Sequence, residues 1–167
     1  MKILKPYLDR GALIVKSGKI SPEQTNIPGW RTDLASKRMD EILDTVGYSA
    51  NGGTKLDGIL SLADCLSEGI IFTLKKRGYT PSNIPVITGQ DATAEALKNV
   101  KEGYQAMTIY KSSEELHEAV LDMLKSISSG HKATVNDTTT YNNGVKDMDS
   151  YLCTPELIDN SNLAKLL

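Results

Sequence analysis

Residues 84–111, with the sequence IPVITGQDATAEALKNVKEGYQAMTIYK, decide the fold of this chain. A short apolar run comes first, a segment with helical periodicity follows it, and a second apolar run ends the stretch. Unbroken apolar runs of this length suit strands that are buried on both faces, as in parallel sheets. The stretch therefore predicts a strand–helix–strand unit of an α/β protein, with a parallel sheet and a right-handed crossover.

The same alternation extends toward the N-terminus. Residues 12–15 and 58–62 are two further apolar runs, and each predicts a strand. Between them, an apolar stripe over residues 35–46 predicts a helix with one buried face. Asp64 and Asp91 each stand before another apolar periodic segment, so we predict both as helix N-caps.

The C-terminal third of the chain has a different texture. Residues 112–129 predict a helix that begins with a capping box and carries an apolar stripe. Residues 131–150 are polar and contain an Asn-Asn-Gly hairpin signal, which does not belong to the strand–helix pattern. We predict a last short strand at residues 151–153 and a short helix near residues 163–167.

Composition bounds the function classes. The chain has 167 residues and a formal net charge of −2, so charge gives no reason to expect nucleic acid as a partner. No apolar run approaches the roughly 20 residues that span a bilayer. The N-terminus lacks the apolar stretch of a signal peptide, which leaves a cytoplasmic protein or numbering that begins inside a longer chain. Cys65 and Cys153 predict two free thiols, with one disulfide as the alternative.

Polar side chains follow the predicted strands at the edge where α/β sheets bind ligands. Asp64 follows one strand, Gln90 and Asp91 follow the next, and Lys111 follows a third. Together they predict a polar ring around one small ligand, because carboxylates accept from hydroxyls and an ammonium donates to oxygens. The competing interpretation is that the aspartates only cap helices and the lysine is a solvated surface residue.

Trp30 is the only tryptophan, in a loop that enters a helix. An indole face packs against the C–H face of a sugar ring, whereas the alternative is a side chain that covers the edge of the core. The sequence contains no dinucleotide or nucleotide phosphate loop and no nucleophile elbow. We therefore expect no catalytic residue, no metal and no cofactor.

Several motifs resemble one known family. They are Leu4-Lys5-Pro6-Tyr7 with Gly11, Trp30 before a helix, Thr88-Gly89-Gln90-Asp91-Ala92, Met107-Thr108-Ile109-Tyr110-Lys111, Asn136-Asp137-Thr138, Thr140-Tyr141, Asn143-Gly144-Val145-Lys146, and Tyr151-Leu152 with Thr154-Pro155. In combination they resemble the periplasmic xylose-binding and multiple-sugar-binding proteins of ABC transporters. The resemblance implies a parallel-sheet, three-layer lobe of a type I periplasmic-binding-protein fold, with the N-terminal lobe missing.

The resemblance also implies roles for individual residues. Asp91 matches an aspartate that accepts hydrogen bonds from sugar hydroxyls, Lys111 a lysine that donates to the sugar, and Trp30 a ring stacked on the pyranose. Asp64 matches an aspartate beside a ligand-binding asparagine, but Ala63 stands where that asparagine would be. Asp64 is thus a weaker ligand-binding candidate, as is Gln90.

The implied organisation has three parts. Residues 1–111 would form an incomplete C-terminal sugar-binding lobe, and residues 112–150 a helix and hinge crossing that pack on the missing lobe. Residues 151–167 would form a return strand and tail. Because helix 112–129 would then lack a partner for its apolar stripe, we expect a homo-oligomer through that helix.

The function implied is reversible binding of a neutral aldose such as xylose, glucose or galactose by the receptor of a bacterial importer. The implied partners are the monosaccharide and a membrane permease, and the implied location of the parent protein is periplasmic or extracellular and lipid-anchored. Two alternatives remain: the effector-binding half of a sugar-responsive transcription regulator, and a small doubly wound enzyme using Asp64, Asp91 and Lys111.

Overall fold

The chain divides into two units in a computed structural model that describes residues 3–166. The first unit is Met1–Thr108 together with Asp159–Leu167, and the second is Ile109–Ile158. The helices and strands, in chain order, are α1 (Lys5–Asp9), α2 (Pro22–Thr25), a 3₁₀ turn (Pro28–Trp30), α3 (Thr32–Val46), β1 (Gly58–Ile59), α4 (Asp64–Lys76), β2 (Val86–Ile87), α5 (Ala94–Lys101), β3 (Met107–Tyr110), α6 (Ser113–Ser128), β4 (Glu156–Asp159) and a second 3₁₀ turn (Leu163–Lys165).

Two parallel strands organise the first unit. Gly58 of β1 pairs with Val86 of β2, and Ile59 pairs with Ile87, so the predicted parallel pairing is confirmed. Helix α4 supplies the crossover between the strands, as expected for a strand–helix–strand unit. Strands β3 and β4 form a second two-stranded sheet. The α/β fold class is therefore confirmed.

Helices α3 and α4 pack together to build the core. Their buried faces join β2 in one apolar cluster, whose members include Met39, Leu43, Ile71, Leu74 and Ile87. This confirms the buried stripe predicted for residues 35–46. Gly69 of α4 lies against the first turn of α3, where a Cβ atom would overlap the carbonyl of Thr32.

The opposite face of the β1–β2 pair is not buried in this way by any of residues 3–166. Leu60, Leu62 and Val86 alternate with buried positions along the strands and their exits, and all three are exposed. Strands β1 and β2 thus bury one face against α3 and α4 and leave an apolar face open.

Two predicted strands are wrong. Ala12 and Leu13 form a bend, and Ile14 and Val15 are irregular. The Leu13 amide donates to the Tyr7 carbonyl and the Gly18 amide to the Val15 carbonyl, and the apolar side chains of this run are exposed. Residues 151–153 are irregular, and the last strand is β4 instead. In both cases the apolar run has no neighbouring strand to pair with in the part of the chain that the structure describes. An unpaired strand leaves its backbone N–H and C=O groups without hydrogen bonds, so the run does not form a strand.

Both predicted aspartate caps are also wrong. Ala63 is the N-cap of α4, with no side-chain capping bond, and Asp64 is the first helical residue. Thr93 caps α5, its hydroxyl accepting from the Ala96 amide at 3.2 Å. Both carboxylates are thereby released from capping for other contacts.

The second unit contains α6 and a polar fold-back. Ser112 caps α6 and accepts from the Glu115 amide at 3.1 Å, which is the serine half of the predicted capping box. Two antiparallel bridges, Asn142 with Asp147 and Asp137 with Ser150, close the predicted hairpin region. Helix α6 has no buried residue, so its apolar stripe is exposed.

The 3₁₀ turn at Leu163–Lys165 occupies the place of the predicted terminal helix, although Leu167 lies outside the described residues. Within residues 3–166, every helix is too short or too polar to cross a bilayer.

Candidate functional site

Asp91 stands in the loop that follows β2, where the sheet rule predicts ligand groups. Its residue surface is exposed, and its backbone adopts the left-handed region with φ of 107°. Ala92 follows with φ of 52°. Two consecutive L-residues in this region are strained, and such strain persists only where the surroundings enforce it.

Asp64 holds this loop in place through hydrogen bonds. Its residue surface is 0% exposed, and its carboxylate accepts from three groups of the same unit. The Thr108 hydroxyl donates to both oxygens at 2.9 Å, the Gln105 amide to Oδ1 at 3.0 Å, and the Thr93 backbone N–H to Oδ2 at 3.0 Å. The Asp64 amide in turn donates to the Gln90 carbonyl at 2.9 Å. Residues 90–93 are therefore tied to the Asp64 residue at both ends.

Gly89 makes room for this arrangement. A Cβ atom at Gly89 would overlap both Asp64 Oδ1 and Gln105 Nε2. Since both of those groups are buried and bonded to each other, neither can step aside at low cost. The φ of Gly89 is not positive, so backbone conformation does not require glycine here. Position 89 requires glycine because a larger side chain has no space.

A second polar network fixes the ends of β1 and β2 relative to each other. The Ser67 hydroxyl of α4 bonds to the Ser61 hydroxyl at 2.9 Å and to the Thr88 carbonyl at 2.8 Å. The Ser61 amide donates to the Thr88 hydroxyl at 2.9 Å, and that hydroxyl donates to the Ser61 carbonyl at 2.8 Å. Both strand exits are thus held before the polar loop begins.

Trp30 is 57% exposed and adopts φ of 54°, directly after Gly29, whose φ is 64°. The indole is therefore presented at the start of α3 and does not cover the core. Among residues 3–166, the non-glycine residues with positive φ are Trp30, Asp91 and Ala92. Both residues with the strongest predicted ligand roles in the first unit are among them, which is the pattern expected where strain serves a functional site.

The pKa of the Cys65 thiol is affected by the charge of Asp91. Burial raises the pKa of the Cys65 thiol, and the negative charges of Glu68 and Asp91 raise that pKa further. A carboxylate disfavours a nearby thiolate by repulsion. Asp91 therefore acts electrostatically on the first turn of α4.

The other two predicted site residues have different placements. Gln90 is half-buried and contributes its carbonyl to Asp64. Lys111 directly follows β3, belongs to the second unit and is exposed. The structure brings Asp64, Gln90 and Asp91 into one loop-and-carboxylate cluster.

Thr93, Gln105 and Thr108 were not anticipated from the sequence. Alternation along β3 predicts Thr108 on the more polar side, yet Thr108 is 0% exposed while Met107 and Ile109 are half-buried. No sequence pattern marks Thr108 as the partner of a carboxylate 44 positions away. The one available signal is a threonine between the apolar residues Met107 and Ile109 of a predicted strand.

The two carboxylates of this cluster, Asp64 and Asp91, differ in how well they can accept hydrogen bonds from a ligand. A buried carboxylate whose oxygens are filled by protein donors cannot also be the main acceptor for a ligand, whereas the exposed Asp91 carboxylate can accept from two hydroxyls. The exposed indole offers a flat apolar surface.

The chain is similar to known proteins of one family. The periplasmic binding protein domain family matches residues 1–132. The multiple sugar-binding periplasmic receptor ChvE of Rhizobium radiobacter is 38% identical over the whole chain, and the match covers 47% of that receptor. The D-xylose-binding periplasmic protein of Escherichia coli K12 is 32% identical over 98% of the chain and 44% of its own length.

A solved structure is similar as well. An ABC transporter solute binding protein from Clostridium phytofermentans with bound β-D-glucose superposes with a TM-score of 0.89 and 40% identity, covering all of this chain and 50% of that protein. This chain spans about half the length of the relatives that it matches.

Proposed function

Because the chain belongs to the periplasmic binding protein domain family, we propose that it is a sugar-binding lobe of the receptor for a bacterial ABC sugar importer. The observation that carries the proposal is the Asp91 loop: Asp91 is an exposed residue with positive φ at a strand exit, and the next two backbone amides bond to Thr108 and to the buried Asp64 carboxylate. The ligand class proposed is a neutral aldose such as xylose, glucose or galactose. The names of the similar receptors support this class.

The proposed roles divide between chemistry and position. Asp91 accepts hydrogen bonds from adjacent sugar hydroxyls, Lys111 donates to the sugar, and Trp30 stacks on the ring. Gln90 acts as a weaker contact. Asp64, whose oxygens are already occupied, supports the loop in preference to touching the sugar.

A sugar titration of this chain tests the proposal. A single lobe forms only part of a binding site, so we expect weak affinity, with Kd on the order of 1–100 mM. NMR chemical-shift changes at Asp91, and at the Trp30 indole, should saturate with xylose, glucose or galactose. Asp91→Asn should weaken binding, and the matched exposed variant Asp57→Asn should not. The proposal is wrong if no sugar produces saturating shifts in the unaltered chain.

The organisation proposed for the protein follows the same reasoning. Residues 1–111 would supply the sugar-binding lobe, residues 112–150 a helix and hinge crossing, and residues 151–167 a return strand and tail. In the whole protein, closure of two lobes on the sugar would be the signal to a membrane permease. The proposed location is periplasmic, or extracellular with a lipid anchor, and the proposed activity is binding without catalysis.

Helix α6 is the proposed contact between copies. Its exposed apolar side chains include Leu116, Val120, Leu124 and Ile127, which recur on one face. A helix face of this kind is stabilised by burial against a second copy. Light scattering should find a dimer or larger species, and a strictly monomeric chain at high concentration would refute this contact.

The alternative of a transcription regulator is not favoured, because the similar proteins are periplasmic receptors and solute binding proteins. A small doubly wound enzyme is a weaker alternative still, since one of its three proposed groups, the Asp64 carboxylate, has no exposed surface.

A further inference from the structure

We propose that Asp64 and Thr108 are positioning residues for ligand binding: they hold the loop 90–93 so that the Asp91 carboxylate is presented in one conformation. The proposal rests on the function proposed above, in which Asp91 accepts from the sugar. It adds two residues that touch no ligand and act through the backbone of the loop.

The first step concerns the Asp64 carboxylate. A buried carboxylate is stable only when donors fill its oxygens, and here a hydroxyl, an amide and a backbone N–H do so. The backbone donor belongs to Thr93, the last residue of the loop and the N-cap of α5. The carboxylate therefore fixes the place where the loop meets α5.

The second step concerns the Thr108 hydroxyl. It donates its one proton to Asp64 and accepts from the Ala92 backbone N–H at 3.1 Å. A hydroxyl can do both at once, because it has one donor and two acceptor lone pairs. Thr108 thus links the buried carboxylate directly to the residue that follows Asp91.

The third step concerns the backbone that these bonds restrain. Asp91 and Ala92 both have positive φ, a region that L-residues leave unless bonds hold them there. The Ala92 and Thr93 amides, which end this strained stretch, are the two that bond to Thr108 and Asp64. Without these bonds the loop would relax, and the Asp91 carboxylate would sample several directions.

A matched pair of threonines separates this role from ordinary core stability. Thr108→Val keeps the shape of the side chain and removes the hydroxyl. Thr73→Val does the same at another buried threonine of the same unit, whose hydroxyl bonds to Ser36 between α3 and α4. Thr108→Ser restores the hydroxyl and serves as the rescue.

Two readouts are measured on the full chain. One is the Kd for D-glucose from NMR titration, and the other is the hydrogen-exchange rate of the Ala92 and Thr93 amides. We expect Thr108→Val to weaken binding at least about tenfold and to speed exchange at both amides by a similar factor. Thr73→Val and Thr108→Ser should each stay within about threefold of the unaltered chain in both readouts.

The outcomes separate this proposal from the proposed function. If Thr108→Val and Thr73→Val change Kd and exchange alike, the positioning role is wrong while sugar binding stands. If the unaltered chain binds no sugar, the proposed function fails, and the exchange rates alone decide whether the two residues hold the loop. Should Thr108→Val not fold, Asp64→Asn takes its place, since it puts an amide group where one carboxylate oxygen accepts.

Discussion

Replacing Gly89 with alanine tests whether the space beneath the polar loop is as limited as the structure indicates. The added Cβ would overlap the Asp64 carboxylate and the Gln105 amide, two buried groups that bond to each other. We expect the Gln105–Asp64 hydrogen bond to break and the carboxylate to shift. Gly89→Ala should therefore destabilise the fold and disorder the loop above it.

The size of the effect follows from opposing contributions. Losing a hydrogen bond to a charged acceptor costs about 1.5–3 kcal/mol, and forcing an extra carbon into a packed site costs about 1–3 kcal/mol. Alanine restricts the unfolded chain more than glycine does, which returns about 0.4–1 kcal/mol. The net loss in the free energy of unfolding should be about 2–5 kcal/mol.

Gly58→Ala is the matched control. Gly58 lies in β1, the strand that pairs with β2, and its added Cβ would meet only the Val86 carbonyl at an ordinary 3.7 Å. Neither glycine has a positive φ, so backbone conformation does not separate them. We expect Gly58→Ala to be neutral or stabilising by up to about 1 kcal/mol.

Urea unfolding followed by circular dichroism measures both variants. With an unchanged slope, the midpoint for Gly89→Ala should fall by roughly 1–2 M. Equal free energies of unfolding for the two variants, within about 0.5 kcal/mol, would refute the overlap at Gly89 and the packing argument built on it.

Three further expectations concern the binding groups and the exposed helix. In a Cys153→Ser background, Asp91→Asn should lower the pKa of the Cys65 thiol, because it removes a nearby negative charge. Iodoacetamide should then react faster with Cys65 near pH 8. An unchanged rate would show that the Asp91 charge does not act on the Cys65 thiol. Trp30→Ala should weaken sugar binding about tenfold in the NMR titration, and Trp30→Phe should retain most of it, because a flat ring remains. Leu124→Glu on α6 should shift the light-scattering mass toward monomer, whereas Val145→Glu, an exposed apolar site of the same unit outside α6, should leave the mass unchanged.

The elements with strong periodicity could be predicted from the sequence. The apolar stripe over residues 35–46 forms the buried face of α3, and the apolar runs at Gly58 and Val86 form a parallel pair of strands. Both patterns are local, and burial of the apolar side chains favours the same structures that the patterns predict. Residues 12–15 failed for the opposite reason. Their apolar character is typical of a strand, but strand formation depends on a neighbour that no local pattern reveals.

The candidate site could be predicted in its location and only partly in its roles. The strand-exit rule led to Asp64, Gln90 and Asp91, and these residues do meet in one loop cluster. The difference between a buried supporting carboxylate and an exposed one depends on Thr108 and Gln105, which are far away along the chain. A pairing of that sequence separation leaves no periodic trace, and a capping preference is a weak guide when another residue caps the helix.

The exposed side chains of Leu60, Leu62 and Val86 have a consequence for handling the protein in solution. A net charge of −2 supplies little mutual repulsion between molecules, so this open sheet face has little to oppose its self-attraction. Sulfate and phosphate strengthen the burial of apolar surface, whereas urea below the unfolding transition weakens it. The chain should therefore salt out early in ammonium sulfate.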